Sequence, residues 1–238
     1  FTSSGTDNDI TLGETNVLTG AISATTAGTT GNVTIDNGTT AINLGTVTAR
    51  GNLSVRGGNG ITDSGVITVS GTSLFHSDVT AKALTQDSVN AMTGAVRITH
   101  SGSADVAIDN GTTALNLGTV GVGQNFEARS GGGITDTGVI TVAGTSLFHS
   151  DVAGQVITLD SANAMTGAVS ITHTGSANVA FDNGTTALTS ATAGVCSAVS
   201  DGSERQITDS GVITVAGTSL FHSDVSGQVI TLDSANAM

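Results

Sequence analysis

Apolar residues along this chain recur at every second position. In GVITV (Gly65–Val69), AVRITH (Ala95–His100), DVAID (Asp105–Asp109) and ALNLG (Ala114–Gly118), Val, Ile and Leu are set against Thr, Arg, Asn or Asp. A period of two puts successive side chains on opposite faces of an extended chain, so each block predicts a short strand with one buried face. Gly, Asn, Asp and Ser separate the blocks, as turns between strands require. Asn-Gly, which favours positive φ and tight turns, occurs at Asn37-Gly38, Asn59-Gly60, Asn110-Gly111 and Asn183-Gly184. No window sustains helical spacing over the roughly ten residues a helix needs. The chain reads as all-β. By itself the pattern fits either hairpins in an antiparallel sandwich or a coiled stack of parallel strands.

Repetition favours the stack. ITDSGVITVSGTSLFHSDV begins at Ile61, and near-copies begin at Ile134 and Ile207, a constant repeat of about 73 residues. Aligning Ile61–Leu115 with Ile134–Leu188 gives 42 identities in 55 positions, so the units share one structure. The chain divides into residues 1–74, 75–147, 148–220 and a partial fourth unit, 221–238. It opens and closes inside units, which predicts a slice of a longer array. The units adjoin without linker, Pro or shift of composition, so one continuous solenoid is expected rather than beads. A unit divides into three rungs of about 24 residues, a suitable length for one solenoid coil.

Composition narrows the function. The formal charge is -13, with 6 Lys+Arg against 19 Asp+Glu, so no basic stripe exists to hold phosphates and nucleic acid is not an expected partner. No apolar run approaches the ~18 residues of a membrane-spanning helix, so membrane insertion is not expected. Six Phe and no Trp or Tyr are too few aromatics for a sandwich core or for the sugar platforms of a polysaccharide-acting enzyme. Stacked small aliphatics can fill a narrow coil instead.

GNLSVRGGNGITDSGVITVSGT (Gly51–Thr72) and NAMTGAVRITHSGSADVAIDNGTTALNLGTV (Asn90–Val120) resemble repeats of filamentous-haemagglutinin-like exoproteins. These are large surface or secreted proteins of Gram-negative bacteria, many exported by two-partner secretion. The resemblance covers the chain except Thr189–Gln206. It implies a parallel, right-handed β-helix, an extracellular or cell-surface location, and a role in adhesion or surface structure.

Residues that carry chemistry are few, and each has a structural reading. Phe-His-Ser-Asp recurs at Phe75–Asp78, Phe148–Asp151 and Phe221–Asp224. Neighbours on a strand face opposite ways, so His76 and Ser77 are not expected to share a proton, and the phrase reads as a strand-end turn. His76 and His149 should lie three rungs, about 14 Å, apart and cannot share a metal; His100 and His173 have the same problem. Asp63, Asp136 and Asp209 follow Ile-Thr without the spacing of calcium-binding nonapeptides. Zinc at the histidines is not expected, weak calcium binding at some carboxylate cluster remains open, and no cofactor is expected. Asp36, Asp109 and Asp182 precede Asn-Gly as turn acceptors. Asn37, Asn110 and Asn183 open formal glycosylation sequons that read more simply as turns.

One segment breaks the repeat. Where the second unit has Leu115–Gly133, the third has Leu188–Gln206: Leu117 becomes Ser190, Phe126 becomes Val199, and three Gly become Glu204, Arg205 and Gln206. Core volume falls and flexible turn residues are lost, which predicts a local bulge or a looser rung, exposed and open to contact with a neighbour. Its residues Cys196, Asp201, Glu204 and Arg205 are the candidate contact segment. The resulting expectation is a non-enzymatic extracellular rod, an adhesin stalk or surface fibre. Its expected partners are cell-surface glycans or proteins, or other copies meeting it end to end or laterally. A sheath, surface layer or filament is the alternative, and a polysaccharide-acting β-helix enzyme the remote one.

Overall fold

A computed structural model describes the chain except residues 79–81, 101, 174–176, 204, 205, 224, 225 and 238; for 190–203 and 215–218 it describes the backbone. Among the described residues there are 26 strands and no helix, hence none long and apolar enough to cross a membrane. The strands pair in parallel, each with the strand one coil before and one coil after it. This is a β-solenoid. About ten coils at about 4.8 Å each make a rod on the order of 50 Å long.

The period-two blocks become the walls of the coil. Ile35, Val55, Phe75, Ile98, Val120 and Ile140 stand in register on successive coils, and each is at most 1% exposed. Burying one such side chain contributes about 1.5–3 kcal/mol, so the stack is held by its apolar columns as well as by its backbone ladder. Phe126 and Phe148, on adjacent coils, meet edge to face with centroids 5.9 Å apart.

The chain bends where two backbones must touch. Gly31, Gly51, Gly71 and Gly94 stack along one edge, and a Cβ on Gly94 would fall on the carbonyl oxygen of Gly71. Gly38 with Gly58, and Gly45 with Gly65, mark two further corners, so the coil that starts at Gly51 turns three times.

The coils are shorter than the length of about 24 residues expected for one rung. Leu53 pairs with Ser73 and Ser73 with Val96; Ile98 pairs with Val120 and Val120 with Ile140, which are spacings of 20 to 23. The three rungs expected per unit are therefore followed by part of another. From Ile61 three coils lead through Leu84 and Val106 to Phe126, and a fourth reaches Ser146. Ile134, the sequence equivalent of Ile61, falls between those last two. From Ile134 the coils pass Ile157 and Val179 to Val199 and then Ser219, and Ile207 again falls between. The column that began at Ile61 continues from Ser146 through Val169 and Ser190 to Asp209, two residues past Ile207. Two units thus span seven coils, and each unit is three and a half. Equivalent residues of consecutive units consequently lie on different walls of the rod: Ser73–Ser77 stacks on the wall of Leu53–Gly57, and Ser146–Ser150 on the wall of Ile61–Asp63.

Candidate functional site

The Phe-His-Ser-Asp phrase lies at the end of a strand, with its first three residues inside Ser73–Ser77 and again inside Ser146–Ser150. Phe75 and Ser77 point inward and are fully buried, while His76 points outward. In these two copies no hydrolytic triad forms, because the serine and the histidine are on opposite faces of the wall. Outside, His76 meets Asp78, and Arg56 from the preceding coil donates from Nε to Asp78 at 2.7 Å. Arg56 also lies 3.9 Å from Asp36. The next unit repeats the set: Arg129 reaches Asp151 at 3.3 Å, and His149 Nε2 lies 2.8 Å from the same carboxylate. The Arg56 guanidinium holds the Asp78 carboxyl below the usual aspartate range. The two sets are not one above the other, as three closed rungs would have placed them; the extra half coil moves the second set to a different wall.

Asp63, Asp136 and Asp209 are corner clamps. Asp63 Oδ1 accepts from the amides of Asp87 and Ser88, and its Oδ2 accepts from Asn90 Nδ2 at 2.8 Å. Asn90 in turn accepts from the Ile67 amide. Asp136 with Asn163 and Asp209 with Asn236 repeat the arrangement. Burial raises the Asp63 and Asp136 carboxyls above the ordinary range, outweighing these donors. Asp209 goes the other way, because the Asn236 amide outweighs burial there. Both oxygens of each carboxylate are thus engaged by the next coil. Among the described residues no group of three His, Cys, Asp or Glu side chains could hold a metal ion.

The Asn-Gly-Thr sequons are buried locks. Asn37, Asn110 and Asn183 are 0% exposed. Asn110 accepts from the Met92 amide and donates to the carbonyls of Met92 and Ala114; Asn183 does the same with Met165 and Ala187. The preceding aspartates are turn acceptors, Asp36, Asp109 and Asp182 each taking the amide two residues on. His100 is buried too, with Nε2 on the Lys82 carbonyl, and His173 is 7% exposed.

In the divergent segment, Cys196 and Asp201 lie in a 16-residue strand, Leu188–Ser203; Glu204 and Arg205 lie outside the described residues. The second unit covers the same stretch with two strands, Leu115–Val122 and Phe126–Ser130. The bulge expected here is present: register slips between Ala193 and Cys196 and between Cys196 and Ala198. One lost side chain coincides with the missing turn. Asn125 donates from Nδ2 to Asp105 below it and accepts from Thr145 above it; Asn52 likewise accepts from Thr72, while its backbone amide donates to Asn32. The third unit has Ala198 in that position, which can neither donate nor accept from its side chain.

Residues 30–99, 103–172 and 174–238 each match the family described as repeats of unknown function (DUF5649). The chain belongs to this family. No curated protein and no solved structure matches it. Within this chain the corner clamps, Asp63 with Asn90 and Asn110 with Met92, recur with the repeat. Sequence reasoning missed the Arg56–Asp78 and Asp63–Asn90 pairings. Both link residues more than 20 positions apart, and the available signal was the recurrence of Arg129, Asp136, Asp151 and Asn163 one unit later.

Proposed function

We propose that the chain is a non-enzymatic segment of a long extracellular repeat protein, acting as a rigid adhesin stalk or surface fibre. The observation that carries this reading is the continuity of the ladder. The strands Ser73–Ser77 and Ser146–Ser150 cross the junctions between units and pair with the coils on both sides. A junction without a hinge transmits bending and tension along the rod instead of between beads. Phe75, Phe126 and Phe148 are buried, so these three rings offer no platform for a sugar, which supports a structural over an enzymatic role. An acidic, hydroxyl-rich surface keeps such rods apart in solution, while many weak contacts with glycans or cell-surface proteins add through avidity.

A second reading, a sheath or filament built from laterally packed rods, draws support from the alternating display. Equivalent Arg-Asp-His sets on different walls give a rod like surfaces in two directions. Electron microscopy of the native material separates the two. Single thin rods without lateral contacts support the stalk, ordered bundles or tubes support the filament, and short particles that do not extend along an axis contradict both.

A further inference from the structure

Four Asn-Gly dipeptides occur in the chain, and the fold treats one of them differently. Asn37, Asn110 and Asn183 are buried, with their amide oxygens held by backbone N–H groups and their amide nitrogens donating to carbonyls. The following glycine nitrogens are held as well: Gly38, Gly111 and Gly184 donate to Asp36, Asp109 and Asp182. Asn59 is exposed, and among the described residues its side chain makes no hydrogen bond. Gly60, which follows it, has a φ of 92° and no side chain to crowd the peptide nitrogen.

We propose that Asn59 is a site of spontaneous deamidation and that the other three are protected by the fold. The Gly60 nitrogen gives up its proton to solvent base and attacks the Asn59 side-chain carbonyl carbon. A new C–N bond closes a five-membered succinimide, and the side-chain nitrogen leaves as ammonia, taking a proton from water. Hydrolysis then adds one water across either carbonyl of the ring, yielding aspartate or isoaspartate. The balance is one amide and one water in, one carboxylic acid and one ammonia out, with no oxidant or reductant.

At Asn37, Asn110 and Asn183 the same step requires the asparagine to leave its carbonyl partners and the glycine nitrogen to leave its aspartate. The rate there is set by local unfolding of the corner. The later units lack the labile pair at the corner of Asn59, having Gly132-Gly133 and Arg205-Gln206 at the equivalent positions. Conversion at Asn59 places a new negative charge one coil below Lys82, at a corner where a Cβ on Gly60 would sit 3.0 Å from the Ala83 carbonyl. The isoaspartate product adds a backbone methylene at that tight contact.

The test is to incubate the folded chain at mildly alkaline pH and quantify amide-to-acid conversion at each Asn-Gly by peptide mass spectrometry. A parallel sample is held unfolded in denaturant. Asn59 is expected to convert at least an order of magnitude faster than the other three in the folded chain, and all four at comparable rates when unfolded. Folded-state conversion of Asn110 or Asn183 that keeps pace with Asn59 overturns the proposal. So does an Asn59 that stays intact while the unfolded chain deamidates.

Discussion

Two carboxylates set into the corners of the coil govern how this molecule answers to pH, Asp136 being only 6% exposed. Asp63 and Asp136 have their carboxyls raised by burial, even though each accepts hydrogen bonds from an asparagine and two backbone amides. A group whose folded pKa lies above its unfolded value contributes stability that is full below the ordinary aspartate value of about 4 and is lost as pH rises through the folded value. Asp78 is depressed by Arg56, so its contribution is present above that ordinary value and lost only as pH falls below it. Acidification also relieves the self-repulsion of a chain with charge -13. Stability is therefore expected to rise as pH is lowered from neutral toward the ordinary aspartate value of about 4, and to fall below it. Denaturant midpoints across that range check it, and the rise should be smaller in an Asp63→Asn, Asp136→Asn double variant. That variant is also expected to lose about 1–3 kcal/mol per site at neutral pH, because its new amide faces the Asn90 or Asn163 amide donor to donor. A wild-type chain that weakens between neutral pH and 5 contradicts this account.

Among the elements, the edge ladder decides where a wall stops. Asn125 joins Asp105 to Thr145, and the chain bends between Val122 and Phe126; with Ala198 in that place the strand runs on and its register slips. Ala198→Asn is expected to rebuild the corner between Asn178 and Thr218, its partners on the adjacent coils. The gain is on the order of 1 kcal/mol, read as a higher unfolding midpoint and slower amide exchange in residues 188–203. No gain in either would mean that Ser190 and Val199, not the missing asparagine, cause the irregularity. The strands themselves and their inward residues were legible in the alternation of Val, Ile and Leu with polar residues. So were the Asx turns at Asp36 and Asp109 and the break at residues 189–206. The clamps were not, because Asp63 and Asn90 are 27 residues apart and meet only after the coil length is known.

Over the whole molecule, coil length and unit length do not divide evenly, and this mismatch gives the rod its character. The repeats show where sequence recurs along the chain, and carry no direct record of where a residue lies around the axis. Three closed rungs per unit would have stacked His76 under His149; the shorter coils send the two to different walls. A surface set encoded once per unit is thereby shown on two walls of the rod in turn. Pairs of cysteines test the coil length most directly, in a Cys196→Ser background so that no other thiol competes. Glu127 stands beside Leu147 on the adjacent coil, both outside the core, so Glu127→Cys with Leu147→Cys is expected to form a disulfide rapidly under mild oxidation. Glu127→Cys with Asp151→Cys, the pair that coils of about 24 residues would align, is expected not to. Efficient bridging of the second pair with none in the first would contradict the short coil, and with it the half-coil offset between units.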